Sequence, residues 1–112
     1  MSEGQQGMSA SPFEIIRQVS EEGFEYWSAR DLSKILGYVR WENFQAVIPK
    51  AEMACIKSGY DSADHFREAT KVVTLGSGVQ RNLKDFHLSR YACYLIVQNA
   101  DPEKEIVALG QT

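Results

Sequence analysis

The residues best suited to recognition chemistry lie between positions 40 and 50. Arg40, Asn43 and Gln45 have side chains of the types that hydrogen-bond to base edges, and Lys50 follows them. They fall on the second of two predicted helices joined by the short segment Tyr38-Val-Arg, which is the outline of a helix-turn-helix. We therefore predict that Arg40, Asn43, Gln45 and Lys50 face a groove of DNA. The alternative is an ordinary helical corner with a solvated outer face.

A second group of cations surrounds a glycine-rich turn. Lys71, Arg81 and Lys84 flank Gly76-Ser-Gly78. Apolar and polar residues alternate on both sides of this turn, a pattern that predicts a β-hairpin with one wet face. The wing of a winged-helix domain contacts phosphates with residues of this kind. The alternative is that the charges only protect the edge of a sheet.

Signatures of catalysis and of metal binding are poor. His65 and His87 are the only histidines, and they are not spaced with Cys55 and Cys93 as a zinc site. Both cysteines fall on apolar helical faces, which predicts reduced core residues. A nucleophilic Cys93 would need a thiolate, which apolar surroundings disfavour. We expect no catalytic residue, no metal and no cofactor.

The element that organises the chain is a predicted central helix over residues 85–101. Leu88, Tyr91, Ala92, Leu95 and Ile96 share one of its faces. The opposite side carries Cys93, Tyr94 and Val97, so this helix is predicted to be covered on more than one side.

Further helices are predicted over residues 11–23, 28–37 and 41–59, with a helical turn at 62–66. Pro49 should kink the third of them, because proline removes a backbone donor inside a helix. Phe24 to Trp27 has the aromatic composition of a short strand. Residues 1–10 are predicted to be a disordered tail. A last helix begins at Asp101 and has no stop signal before Thr112, so residues 11–112 resemble one domain cut inside a helix.

Composition supports a single small α+β domain, mainly helical, with a β-hairpin that becomes three-stranded if Phe24 to Trp27 joins it. The chain has 112 residues and a net charge of −3. Residues 28–90 nevertheless carry ten Lys and Arg against seven Asp and Glu. Since binding responds to the local field, this basic middle permits an anionic partner. No apolar run reaches the length of a membrane span and no signal peptide is visible, so we expect a cytoplasmic protein.

The sequence also resembles a known family. The segments WSARDLSKILGY, DHF, LGSG and HLSRYACYLIVQNADPEKE are similar to the N-terminal part of the bacterial DNA-damage-inducible protein D family. That part in turn resembles the BRO-type N-terminal domain of viral and phage regulators. The resemblance implies a cytoplasmic bacterial protein of the SOS response that binds DNA and acts in recombination or repair. It implies no catalytic residue.

Two functions follow as hypotheses. The first is a non-enzymatic DNA-binding domain, in which the residues at positions 40–50 read a groove and Lys71, Arg81 and Lys84 hold phosphates. The second is a protein-interaction module without direct DNA contact. In that case Tyr94 and Val97, on the back of the central helix, dock a recombinase or a second copy of the chain. Four aromatic residues (Tyr26, Trp27, Tyr38 and Trp41) are candidates for stacking on single-stranded bases. The alternative is that these rings belong to the core, with only Tyr38 exposed.

Overall fold

The computed structural model describes residues 11–100 as an antiparallel sheet packed with helices. The predictions for residues 1–10 and for the last helix lie outside this range. The helices are α1 (Pro12–Ile15), α2 (Ala29–Ile35), α3 (Trp41–Gln45), α4 (Ile48–Lys57), α5 (Ser62–His65) and α6 (Arg90–Asn99). The strands are β1 (Gln18–Val19), β2 (Glu25–Ser28), β3 (Phe66–Thr74) and β4 (Gln80–Leu88). The sheet order is β1-β2-β4-β3, so the α+β class is confirmed and the sheet is larger than predicted.

The predicted hairpin is confirmed as the longest feature of the sheet. Strands β3 and β4 pair from Phe66 with Leu88 out to Thr74 with Gln80. At the tip, the Leu75 N–H donates to the Val79 carbonyl (2.8 Å), and Gly78 adopts a φ of 89° that an L side chain rarely tolerates. Only the base of β4 also pairs with β2, through Leu88 and His87. The rest of the hairpin therefore extends past β2 as a two-stranded ribbon.

The predicted strand at Phe24 to Trp27 is confirmed as β2, and the helix predicted over residues 28–37 is confirmed as α2, but the helix predicted over residues 11–23 is wrong in its extent. Helix α1 is a single turn, and residues 18–19 form the short strand β1 instead of continuing a helix to Gly23. Val19 is exposed in this short strand, where Gln18 and Val19 pair with β2. Gly23 lies in the β1–β2 connection with a φ of 94°.

The central helix begins later than predicted. Residues 85–88 end strand β4, and Ser89 caps α6 by accepting a hydrogen bond from the Ala92 N–H at 3.0 Å. Helix α6 itself is confirmed as apolar nearly all round, since Ala92, Cys93, Leu95, Ile96 and Val97 are buried. Cys55 and Cys93 are both buried and free of any disulfide, as predicted.

The helix-turn-helix prediction is not confirmed. The predicted second helix is broken after Gln45, and α4 starts afresh at Ile48. Pro49 occupies the first turn of α4. A backbone N–H in the first turn has no acceptor within the helix, so proline, which has no N–H, breaks no helical hydrogen bond there. Proline therefore starts a new helix here and does not bend a continuous one. A five-residue α3 is too short to serve as the recognition helix.

Asp85 connects the ribbon to α2. Its carboxylate is 2% exposed and accepts three hydrogen bonds, from the Ser28 hydroxyl (2.6 Å), the Arg30 N–H (3.0 Å) and the Phe86 N–H (2.8 Å). Ser28 in turn caps α2 by accepting from the Asp31 N–H at 3.3 Å. A buried carboxylate is stable only when such donors surround it. This network therefore determines where α2 sits against the ribbon.

We expect Asp85→Ala to destabilise the domain by about 3 kcal/mol or more, because it leaves several buried donors without an acceptor. Asp85→Asn should cost less, since the amide oxygen still accepts from the two backbone N–H groups. Urea denaturation followed by circular dichroism measures both changes. Glu68→Ala, on the exposed part of β3, serves as the control and should stay within about 0.5 kcal/mol of wild type. Equal stabilities for Asp85→Ala and Glu68→Ala would contradict the structural role of Asp85.

Candidate nucleic-acid interface

A groove with several cations lies between the ribbon and α2. We call it the basic groove. Its lining comprises Arg30, Ser33, Lys34, Tyr38, Val39, Trp41, Lys71, Val73 and Leu83. The groove therefore combines one wall from α2 and the segment that follows it with one wall from the ribbon.

Strand register decides which ribbon cations face this groove. Residues paired across an antiparallel ladder share a face, and successive residues alternate between faces. Lys71 pairs with Leu83, and Val73 pairs with Arg81, so Lys71 and Arg81 lie on the groove face. Lys84 pairs with Thr70 and lies on the opposite face. The predicted set of three ribbon cations is thus divided between two faces.

Arg30 and Lys71 are held by contacts within the domain. The Arg30 guanidinium lies 4.2 Å from the centre of the Trp41 ring, and its Nε donates to the Lys84 carbonyl. Lys71 Nζ lies 2.8 Å from a carboxylate oxygen of Asp31. These contacts shape the groove and leave its charge positive, because Arg30, Lys34, Lys71 and Arg81 outnumber the carboxylates of Asp31 and the buried Asp85.

Other cations near the groove are available to a ligand. Lys34, Arg40 and Arg81 are exposed, and within residues 11–100 none of them forms an ion pair. Arg40 directly precedes Trp41 of the groove wall, although Arg40 itself does not line the groove. Exposed cations of this kind contact phosphates at a small desolvation cost.

The remaining residues of the predicted recognition helix do not line the basic groove. Asn43 is exposed on α3, Gln45 is half-buried at its end, and Lys50 is exposed on α4. Helix α4 packs mainly against α6, and Lys50 does not line the groove. Of the seven residues predicted to bind nucleic acid, Lys71 alone lines the basic groove, and Arg81 shares its face of the ribbon.

Of the four aromatic residues predicted as stacking candidates, two line the groove. Trp41 and Tyr38 are half-buried there, and both pack their rings against Phe44 of the core. Trp27 is fully buried, and its indole N–H donates to the Phe13 carbonyl at 2.8 Å. Tyr26 stacks on His87 at 4.2 Å. Tyr38 is therefore more buried than the sequence suggested.

A larger cleft, of about 500 Å³, lies at the base of the sheet and has the opposite character. Its lining includes four carboxylates, from Glu21, Glu22, Glu25 and Asp64, beside Arg67 and His87. Repulsion between these carboxylates and phosphates makes this cleft unsuitable for nucleic acid. Residues 11–100 carry eleven Lys and Arg against eleven Asp and Glu, so this cleft and the basic groove differ in local charge within a neutral part of the chain.

Comparison with known proteins places the chain in a family. Residues 15–109 match the model of the BRO family, N-terminal domain. This chain belongs to that family. It is also 50% identical over 101 residues to DNA damage-inducible protein D of Escherichia coli (strain K12), a match that covers 90% of this chain and 37% of that relative. The resemblance seen in the sequence is therefore confirmed. No solved structure matches this chain.

The two residues predicted to dock a protein partner differ in their burial in this member of the BRO family. Val97 is 5% exposed and belongs to the core, which corrects its place in the predicted surface patch. Tyr94 is 56% exposed, and its hydroxyl accepts from the Gln98 amide at 2.9 Å. The back of α6 therefore offers Tyr94 to solvent but not Val97.

The described residues of this family member contain no group of three or more His, Cys, Asp or Glu side chains arranged to hold a metal ion. Burial raises the pKa of both the Cys55 and the Cys93 thiols, which keeps them protonated at neutral pH. No helix among residues 11–100 is long and apolar enough to cross a membrane.

The sequence reasoning missed Arg30 and Lys34 as residues of the interface. They stand four residues apart on α2, so they share one face of that helix. This spacing was a usable signal, but the direction in which that face points depends on the ribbon packed beside it. The register of the ribbon carried a similar signal. Lys71 pairs with Leu83, and Arg81 stands two residues before Leu83 on the same strand, so all three lie on one face of the ribbon.

Glu25 forms an ion-pair cluster that joins α1, β2 and α6. Its carboxylate oxygens lie 3.0 Å from Arg90 Nε and 2.7 Å from Arg17 Nε, and Arg90 also contacts Glu14 at 3.1 Å. Hydrogen bonds from Arg90 and then Arg17 lower the pKa of Glu25 to about 2. The folded pKa lies below the unfolded value near 4.5, so the stabilisation is present above pH 4.5 and is lost as the pH falls towards 2.

We therefore expect Glu25→Gln to lower stability at pH 7 by about 1 kcal/mol, a value reduced for the solvent exposure of the cluster. The difference from wild type should shrink between pH 4.5 and pH 2. Denaturant midpoints measured across this pH range, with Glu22→Gln as the control, test the expectation. A difference that does not change with pH would contradict it.

Proposed function

We propose that this chain is a non-enzymatic, DNA-binding domain of a DNA-damage response protein. The family and the name of the relative support a role related to DNA damage. The observation that supports DNA binding is the basic groove, where Arg30 and Lys34 of α2 meet Lys71 of the ribbon although they lie far apart in the sequence. The acidic cleft lies elsewhere on the surface, so the positive charge is a local property of the groove and not of the whole surface.

In this proposal the exposed cations contact phosphates, and the cations that already have partners within the domain shape the groove. Lys34, Arg40 and Arg81 are free to reach a DNA backbone, and Lys71 can exchange Asp31 for a phosphate. Arg30 keeps Trp41 in place, as its two contacts indicate. Each neutralised phosphate releases counterions, so the affinity must fall as the salt concentration rises.

For about four phosphate contacts, we expect the logarithm of the affinity for duplex DNA to fall against the logarithm of the salt concentration with a slope of roughly −3.6. Fluorescence anisotropy with a labelled duplex and a labelled single strand, each titrated at several KCl concentrations, measures this slope. A flat line for both forms of DNA would overturn the proposal.

Variants of matched chemistry locate the binding surface. Lys34→Ala should weaken binding and make the slope shallower by about 0.9, the contribution of one contact. Arg81→Glu should weaken binding further, because it also introduces repulsion. Lys57→Ala is the matched control, since Lys57 is another exposed lysine in the last turn of a helix but lies on α4. Unchanged binding by Arg81→Glu would contradict the assignment to the basic groove.

The effect of a substitution at Lys50 distinguishes DNA binding at the basic groove from DNA binding by the predicted recognition helix. We expect Lys50→Ala to change the affinity less than Lys34→Ala does, because α4 packs chiefly on α6 and Lys50 does not line the groove. The same anisotropy assay compares the two variants. An equal or larger loss with Lys50→Ala would place the DNA across α3 and α4 instead.

A further inference from the structure

The ribbon has a second face, on the side opposite the basic groove. We call it the outer face. By register it pairs Thr70 with Lys84, Val72 with Asn82, and Thr74 with Gln80. All six side chains are exposed. The carboxylate on this face nearest to them is that of Glu68, which stands nearer the base and pairs with Phe86.

The outer face presents the chemical groups that distinguish base pairs. Amide side chains such as Gln80 and Asn82 form paired hydrogen bonds with adenine, and lysine donates to guanine. The methyl groups of Thr and Val pack against the thymine methyl. Within the described part of the chain, the amides of Gln80 and Asn82 form no side-chain hydrogen bond. Their donors and acceptors are therefore available to a ligand.

The dimensions of the ribbon fit the major groove of duplex DNA. Two strands about 5 Å apart enter a groove that is about 12 Å wide, and such ribbons are accommodated there. From position 80 to position 84 the face extends about 14 Å, which corresponds to roughly four base pairs.

These observations assign different tasks to the two faces of one ribbon. We propose that the outer face, through Gln80, Asn82 and Lys84, reads base edges in the major groove, and this inference rests on the proposed DNA binding. An exposed strand whose only task is to stay soluble is usually protected by charged side chains. On this face of β4, two neutral amides, Gln80 and Asn82, are followed by a single lysine, Lys84. These are side-chain types that hydrogen-bond to base edges.

The test begins with selection of duplexes from a random pool by the wild-type chain. The double variant Gln80→Ala, Asn82→Ala should then lose about 30-fold or more in affinity for the selected duplex, since two paired contacts are removed. Its affinity for a scrambled duplex and its salt slope should stay as in wild type. Lys34→Ala is the comparison, because it should weaken binding to both duplexes by the same factor.

The outcomes distinguish this inference from the proposed function. If the wild type binds DNA but the pool yields no preferred sequence, base reading is overturned while DNA binding stands. The same holds if the double variant keeps the wild-type ratio between selected and scrambled duplexes. If no DNA binds at all, both proposals fail.

A modified duplex tests the same inference with the wild-type protein, so the result does not depend on whether a variant folds. Replacing adenine or guanine by the 7-deaza base in the selected duplex deletes the N7 acceptor of the major groove and leaves the minor groove unchanged. We expect at least a fivefold loss of wild-type affinity at one or more positions within about four consecutive base pairs. Full affinity for every 7-deaza duplex would overturn major-groove reading.

Discussion

The hydrogen bonds that Ser28 and Arg30 donate to the buried carboxylate of Asp85 join a ribbon from the second half of the chain to a helix from the first half. A carboxylate removed from water tolerates little displacement of its donors, so α2 is held in one position against β4. The same helix carries Arg30 and Lys34, and the same strand leads to Arg81. One buried polar network therefore sets both the packing and the geometry of the basic groove.

The distribution of charge in this domain is more informative than its total. Residues 11–100 carry eleven Lys and Arg against eleven Asp and Glu, yet four carboxylates line the cleft at the base of the sheet and three cations line the groove between α2 and the ribbon. Within the acidic cleft, Glu25 is neutralised by Arg17 and Arg90, which makes it part of the scaffold. A polyanion approaching the domain would meet an oriented field, repelled from one end and attracted to the other.

The ribbon gives this asymmetry a second use. Because it extends past β2, its two faces have different neighbours: α2 lies behind one, and the other is open to solvent. Alternation places Lys71 and Arg81 on the covered side, and places Gln80 and Asn82 on the open side. Proposed backbone contacts and proposed base contacts thus come from alternating residues of the same strand, and a shift of one residue in register would exchange them.

Local signals determined much of this structure. The Ser11, Ser28 and Ser89 caps, the glycine turn at Gly78, the strand at Phe24 to Trp27 and the apolar α6 all follow from the chemistry of nearby residues. Tertiary contacts decided the rest. Residues 18–19 became a strand because β2 offered a partner, residues 85–88 joined β4 because Phe86 and Leu88 are buried in the core, and Val97 was buried by packing around α6. The meeting of Lys34 and Lys71 in one groove depended on the link between Asp85 and Ser28, which joins residues 57 positions apart in the chain and which no local pattern encodes.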